Sequence, residues 1–398
     1  MRRPARSVTA TGPPCVAYLH DNVDFGGIET LQLQILANLD PARYRAIVVV
    51  AEYAGGKAER FREQLAAAGV PLLTPDPGPD VRGLGGAVRI WRLQQLLRRE
   101  RVDVAHIQTR TPQASRRLTV AAGLAGTPAT IRTEHVSPGP HVGPNTRRTL
   151  APFDWLTDLV ITDSQADRRE QIELVGRPAS KVVTSYCGID PYAFDADHDV
   201  AAAKAALGID PAATVIGTVG RLHEQKGHRY LIEAAPRIVD QHDGPLVFLL
   251  VGDGPEQDAL VAQTADLGLT GLVTFAGFQE DAVPYMQAMD VVVMPSLWEG
   301  FSISMQEFMA LGKPMVVSDH HSFREAMVDG EHGLIVPMRD SPALADGVLR
   351  LLKDPKLASA IGAAAADRAR REFSIQRHAA ELMNLYDATL ATGRPQAA

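Results

Sequence analysis

The chain has 398 residues, 45% hydrophobic and 22% charged, which is enough apolar material for two or three domains with ordinary cores. A formal net charge of -7 and a pI near 6.0 argue against nucleic acid as a main partner, because phosphate backbones are met by a basic field. Cys15 and Cys187 lie far apart with no CxxC or Cys/His cluster, which argues against a zinc or disulfide framework and fits a reducing cytoplasm.

In chain order, residues 1–13 read as a disordered leader with no secretory apolar stretch behind the basic start. Short β-branched runs then predict strands at 15–19, 46–50, 102–106, 129–132, 159–162 and 181–184. Helical patterns fall between most of them, at 27–38, 58–68 and 86–99. A second series of strands is expected at 215–219, 247–251, 273–275, 291–294, 314–317 and 333–336. The chain closes on helices near 341–353, 355–372 and 375–391, followed by a loose tail from 392. No apolar run reaches the ~18 residues of a membrane span. Alternating strands and helices predict an α/β fold of two Rossmann-like parallel-sheet domains. Their seam is expected near 188–207, giving domains 14–187 and 188–372, with the final helix of 373–398 packing back on the first. Two such halves facing each other would make a ligand cleft.

Several nucleotide chemistries are excluded by what is missing. Gly252-Asp253-Gly254 follows a strand, but Gln257 stands where a dinucleotide loop has its third glycine. No G-x-x-x-x-G-K-[ST] occurs, which removes P-loop hydrolysis. Asp195, Asp197 and Asp199 mimic a D-x-D metal site but lie in the seam, and read as a solvated linker. His320-His321 lacks a third ligand and reads as an exposed loop; no metal site is expected.

The informative stretch is 291–312. A strand ends at Pro295-Ser296, a loop carries Glu299, and a helix runs from about Ser302 to Leu311 with Glu307 in its first two turns. Both carboxylates can border one pocket at the carboxyl edge of a sheet, beside a helix start suited to a diphosphate. Alone, the pair favours a plainer reading: Ser304-Met305-Gln306-Glu307 as a capping box and Glu299 as a loop carboxylate. The neighbours shift the balance. Arg221 and Lys226 stand at a strand-to-helix junction where cations clamp phosphate oxygens, and Gly26-Gly27 occupies a similar junction in the first half. Ser164 and Asp190 read as helix caps.

Taken together, Gly26-Gly27-Ile28-Glu29, Gly188-Ile189-Asp190, Gly220-Arg221-Leu222 with Lys226-Gly227, Val251-Gly252-Asp253-Gly254-Pro255, and Glu299-Gly300-Phe301 through Glu307 carry a resemblance. With Gly312-Lys313-Pro314, Glu325 and Gly333, their order and spacing resemble the retaining glycosyltransferases of family 4, which have the GT-B architecture and an E-x7-E motif. The resemblance covers about residues 15 to 390. It implies that Arg221 and Lys226 hold a donor diphosphate, that Glu307 accepts from ribose hydroxyls, and that Glu299 contacts the transferred sugar. Gly300, Phe301 and Ser302 would offer backbone N–H groups, Gly26 and Gly27 would close on the β-phosphate, and His135 would lie near the reaction centre. The base is expected around Gly252, Asp253 and residues 277–283, Phe278 among them.

The implied activity is metal-independent transfer of a hexose-type sugar, with retention, from a UDP- or GDP-linked donor to a hydroxyl acceptor. That acceptor would be a glycan, a lipid-linked molecule or a small molecule, and no cofactor beyond the donor is expected. A sugar-nucleotide epimerase on the same architecture and a non-catalytic binding subunit are the alternatives. Two departures stand out: His321-Ser322 replaces a common Gly-Gly pair ahead of Glu325, and Val136 follows His135 where an acidic or small residue is usual. The arginines of residues 86–101 suit peripheral contact with anionic lipid at the inner face of a membrane, although a solvated face on a packed helix is the plainer reading.

Overall fold

The computed structural model describes residues 12–23, 26–51, 57–75, 85–109, 114–136, 138, 142–143, 145–194 and 198–392. The chain forms two compact units, one of Met1–Gly188 with Ile375–Ala398 and one of Ile189–Ser374. The expected leader lies outside the described residues up to position 11, as do the tail from 393 and both Asp195 and Asp197.

The first unit is a seven-stranded sheet of β1 (Cys15–His20), β2 (Arg45–Val50), β3 (Leu72–Leu73), β4 (Val104–Thr109), β5 (Ala129–Glu134), β6 (Leu159–Thr162) and β7 (Val182–Thr184). Their order is β3-β2-β1-β4-β5-β6-β7, and every pairing is parallel. Strands β1, β4 and β5 are buried at every position, as a sheet covered on both faces requires. The helices are α1 (Gly27–Ala37), α2 (Lys57–Ala67), α3 (Gly85–Arg99), α4 (Arg116–Ala125), α5 (Thr146–Leu156) and α6 (Gln165–Glu173). Leu93, Leu96 and Leu97 of α3 and Leu118 of α4 pack on Ala17, Leu19, Ile47 and Val49 of the sheet. Ser164 caps α6 by accepting from the Asp167 N–H at 3.0 Å.

The second unit contains α7 (Val200–Ala206), β8 (Thr214–Val219), α8 (His228–Gln241), β9 (Leu246–Val251), α9 (Gln257–Asp266), β10 (Val273–Gly277), α10 (Val283–Gln287) and β11 (Val291–Met294). It continues through α11 (Ile303–Ala310), β12 (Met315–Ser318), α12 (His321–Ala326), β13 (Leu334–Val336), α13 (Ser341–Lys353) and α14 (Pro355–Glu372). The six strands are parallel in the order β10-β9-β8-β11-β12-β13. Leu231, Ile232, Phe248, Val293 and Leu344 belong to their common core. Asp340 and Asp354 cap α13 and α14, and a proline follows each in the first turn.

Three sequence expectations are corrected. His320 is buried, not in an exposed loop: it caps α12, its Nδ1 accepting from the Ser322 N–H at 3.3 Å, while His321 is the first helical residue. The acidic string is not only a solvated linker, because Asp199 caps α7. The cap of α11 is Ser302, whose hydroxyl accepts from the Met305 N–H, so no capping box built on Ser304 exists.

The last helix, α15 (Ile375–Thr392), belongs to the first unit. The Tyr386 hydroxyl lies 3.0 Å from that of Tyr18 and 2.7 Å from His106 Nδ1, tying α15 to β1 and β4 through buried polar groups. Among the described residues, no helix is long and apolar enough to cross a membrane.

Candidate functional site

In an open parallel sheet, loops at the carboxyl ends of the strands diverge where the strand order reverses, and ligands bind in that gap. The reversal falls between β1 and β4 in the first unit and between β8 and β11 in the second. Gly26-Gly27 follows β1, Gly220-Arg221 follows β8, and Pro295 through Glu299 follows β11.

In the second unit, the loop after β8 is braced by the loop after β9. Leu222 N–H donates to Asp253 O at 2.8 Å and Gly220 N–H to Val251 O at 2.9 Å. Gly252 has φ +137°, and a Cβ there would stand 2.1 Å from Gly220 O. Gly252 and Asp253 therefore shape the backbone under Arg221 through close approach. The Arg221 side chain is exposed, and no ion pair of it is present among the described residues.

Lys226 ends a 3-10 turn, Glu224–Lys226, capped by His223. Gly227 follows at φ +64°, where a Cβ would be 2.2 Å from Pro295 O, so this glycine lets the loops after β8 and β11 touch. Across that contact, Lys226 Nζ lies 2.6 Å from Glu299 Oε1. Ser296 Oγ donates to the same oxygen at 2.8 Å, and Gln225 Nε2 reaches Glu299 Oε2 at 3.5 Å. Glu299 is only 4% exposed, so its charge is compensated inside the fold. His228 Nε2–H donates to Arg221 O at 3.3 Å. Burial, helped by the Lys226 charge, pulls the His228 pKa down to about 4, which keeps it neutral beside the cations.

Gly300, Phe301 and Ser302 lead into α11, whose first N–H groups have no helical acceptors. The Phe301 ring is buried, edge-on to Phe373 with centroids 5.0 Å apart, so it anchors the loop and leaves only its backbone for a ligand. Glu307 is partly buried on α11, and burial together with the Asp281 carboxylate pushes its pKa up to about 7. Asp281 lies in the loop after β10 and accepts from the Val283 N–H at 3.0 Å. That loop also carries Phe278, 43% exposed. Lys313 secures the far end of α10, donating to Gln287 O and Met289 O at 2.7 Å each.

His135, Gly26 and Gly27 belong to the first unit. His135 follows β5, its Nδ1 2.9 Å from Asp163 Oδ2 and its Nε2 2.6 Å from Gln108 Oε1. These three residues come from the ends of adjacent strands β4, β5 and β6. Two oxygen partners suit an imidazolium. A neutral ring would pair with Gln108 once that amide is turned, which would also satisfy its buried, otherwise unpartnered Nε2. Gln108 lines a cavity of about 80 Å³ with His20, Asp21, Ile28 and Glu29, beside the start of α1. Gly26 N–H there donates to Glu29 Oε2 at 3.0 Å. Behind His135, Glu134 is buried between Arg132 and Arg177, Arg177 Nη1 lying 2.9 Å away, and the two guanidinium charges hold its pKa below the usual carboxylate range despite burial.

Lys226 and Glu299 are thus in direct contact, while Arg221, Gly252 and Asp253 share one braced loop system. Ser296, Gln225, Asp163 and Gln108 were not anticipated, and Asp281 falls within the expected 277–283 stretch without having been singled out. For Asp163 a signal was available: a carboxylate at the end of the strand next to that of His135.

Known proteins converge on the same description. Residues 25–192 match the family described as Glycosyltransferase Family 4, and residues 213–354 match Glycosyl transferases group 1. A D-inositol 3-phosphate glycosyltransferase of Corynebacterium urealyticum is 31% identical over 269 residues, which are 65% of this chain and 63% of that protein. An alpha-D-kanosaminyltransferase of Streptomyces kanamyceticus is 31% identical over 57% of this chain and 59% of its own length. The chain thus spans about three fifths of the curated relatives it matches. Among solved structures, Anabaena HepE in complex with UDP and glucose has a TM-score of 0.81 at 23% identity, covering 94% of this chain and 99% of that one. A sucrose-phosphate synthase of Thermosynechococcus elongatus has a TM-score of 0.72 at 20% identity, over 95% and 99%. These likenesses establish the fold, two parallel-sheet α/β domains of GT-B type. The two family matches thus lie on the two sheets, and residues 25–192 belong to Glycosyltransferase Family 4 and residues 213–354 to Glycosyl transferases group 1.

Proposed function

We propose that the protein is a retaining glycosyltransferase that moves a hexose-type sugar from a UDP- or GDP-linked donor to a hydroxyl acceptor without a divalent metal. The observation that carries this reading is the cluster at the β8/β11 reversal: Arg221 exposed on a braced loop, and Lys226 paired with Glu299 at 2.6 Å beside the start of α11. The HepE complex with UDP and glucose lends the donor class support.

When the sugar C1–O bond to the diphosphate breaks, negative charge grows on the leaving phosphate. Arg221, Lys226 and the N–H groups at the start of α11 stabilise it, a preorganised donor of this sort contributing about 3–4 kcal/mol. The acceptor oxygen bonds to C1 on the face the phosphate leaves, and the acceptor proton passes to that phosphate. Glu299 orients the sugar through its hydroxyls. Its Oε1 is held by Lys226 and Ser296, which lowers its nucleophilicity and argues against a glycosyl-enzyme intermediate on this carboxylate. Glu307 takes the ribose hydroxyls, and His135, oriented by Asp163, stands on the acceptor side.

The test is Arg221→Ala combined with Lys226→Ala, measured for donor hydrolysis and transfer across a panel of UDP- and GDP-sugars. A loss of at least about 100-fold in kcat/KM is expected from two such donors. Near-normal turnover would sink the diphosphate assignment, and activity abolished by EDTA would sink the metal-free one. A Glu299→Gln control separates lost phosphate contacts from the effect of leaving Glu299 without its cation.

A further inference from the structure

Charge is segregated within the first unit. The chain as a whole carries -7, yet α3 holds four arginines, α4 two and α5 two, against one carboxylate within these helices, Asp154; Glu100, the residue after α3, pairs with Arg99 at 3.1 Å. Asp154 is already paired with Arg177 at 3.0 Å.

The three helices form a continuous surface. Gln94 Nε2 and Arg98 Nη2 of α3 donate to Leu124 O of α4 at 3.1 and 2.9 Å. Gly123 of α4 is so close to α5 that a Cβ would stand 2.9 Å from Leu156. On this surface lie Trp91, 57% exposed, Leu124, 54%, and Trp155, 76%. Trp91 and Arg98 are seven residues apart on α3, as are Arg148 and Trp155 on α5, so each helix presents an indole and a guanidinium on one outward face. Leu93, Leu96 and Leu97, on the opposite face of α3, fill the core.

We infer that the outer face of α3, α4 and α5 docks on an anionic lipid bilayer. Indoles settle at the headgroup level, where one end meets hydrocarbon and the other water, and arginines beside them meet lipid phosphates. A solvated helix face needs neither two tryptophans more than half exposed nor an excess of one charge in a chain of opposite net charge. Charge complementarity selects the anionic surface over a neutral one. The inference is independent of the donor-site reading, since none of these residues belongs to that site.

The experiment is co-sedimentation of the full chain with phosphatidylcholine vesicles, with and without about one-third phosphatidylglycerol, at low and high salt. Binding is expected only to the anionic vesicles and to weaken with salt. Arg99→Glu with Arg148→Glu should lower it by more than about 25-fold, about fivefold for each arginine lost and more for the reversal. Trp91→Ala with Trp155→Ala should lower it several-fold while UDP binding and circular dichroism stay unchanged. Absent or lipid-independent binding, binding unaffected by both variant pairs, or self-association that the tryptophan variants abolish without any vesicle binding would each overturn the inference.

Discussion

Glu307 is a carboxyl group with a pKa pushed up to about 7 from 4.5, so it is more easily protonated in the folded chain than in the unfolded one. The sign of the linkage follows. Below pH 4.5 the group is neutral in both states and costs nothing, whereas between 4.5 and about 7 the unfolded chain ionises its carboxyl while the folded one keeps its proton, so stability falls as pH rises. The gap, at about 1.4 kcal/mol per decade, sets a ceiling of about 3 kcal/mol above pH 7. Glu307→Gln keeps the shape and removes the ionisation. In a background with Trp91 and Trp155 changed to Phe, Trp298 is the remaining tryptophan and reports urea unfolding of the second unit. The variant should match its parent near pH 5 and exceed it by about 1–3 kcal/mol near pH 8. Donor binding should show the reverse benefit. Ribose hydroxyls donate better to a carboxylate than to a carboxylic acid, so affinity for a nucleotide sugar should rise from about pH 6 to about pH 8 in the parent and stay flat in the variant. A stability difference that does not change with pH would refute the assignment of the titration to Glu307.

Two further outcomes follow from the backbone and the buried charges. Gly252→Ala places a methyl 2.1 Å from Gly220 O at a φ of +137°, so the loop under Arg221 must move. Second-unit stability should drop by at least about 1–3 kcal/mol and UDP-sugar affinity should fall with it, as read by urea midpoint and calorimetry. Glu134→Gln removes the carboxylate between Arg132 and Arg177 and leaves Asp154, paired with Arg177, to face both buried guanidinium groups. The first unit, followed through Trp91 and Trp155, should lose about 3–5 kcal/mol.

Strands of both sheets were legible because buried parallel strands are written as unbroken β-branched runs, as in Ile47 to Val50 and Val291 to Met294. Two-residue β3 is too short to carry any period. The end of β4 was hidden for another reason: Gln108 and Thr109, beyond the expected 102–106, look like loop residues, and their partners Glu134 and His135 at the end of β5 permit burial. His320 was misread likewise, since nothing local announces that it caps a helix with its ring edge-on to Phe323. At the site, Arg221, Lys226, Glu299 and Glu307 stood out because each sits at a fixed offset from a strand end. What could not be read were contacts made across strands, such as Gln225 on Glu299 or Asp281 near Glu307, because they depend on which loops the strand order places side by side.

The docking of α15 has a consequence for biosynthesis. The second unit is one uninterrupted stretch of chain, Ile189–Ser374, whereas the first is assembled from both sides of it. As the polypeptide emerges, the segment bearing Tyr18 and His106 is exported early, but its partner Tyr386 comes only after the entire second unit. The N-terminal sheet must therefore wait, with polar groups destined for burial still open to solvent, while the later unit is already complete. Order of emergence and order of completion are thus inverted, and α15, made after the second unit, seals the part that was made first.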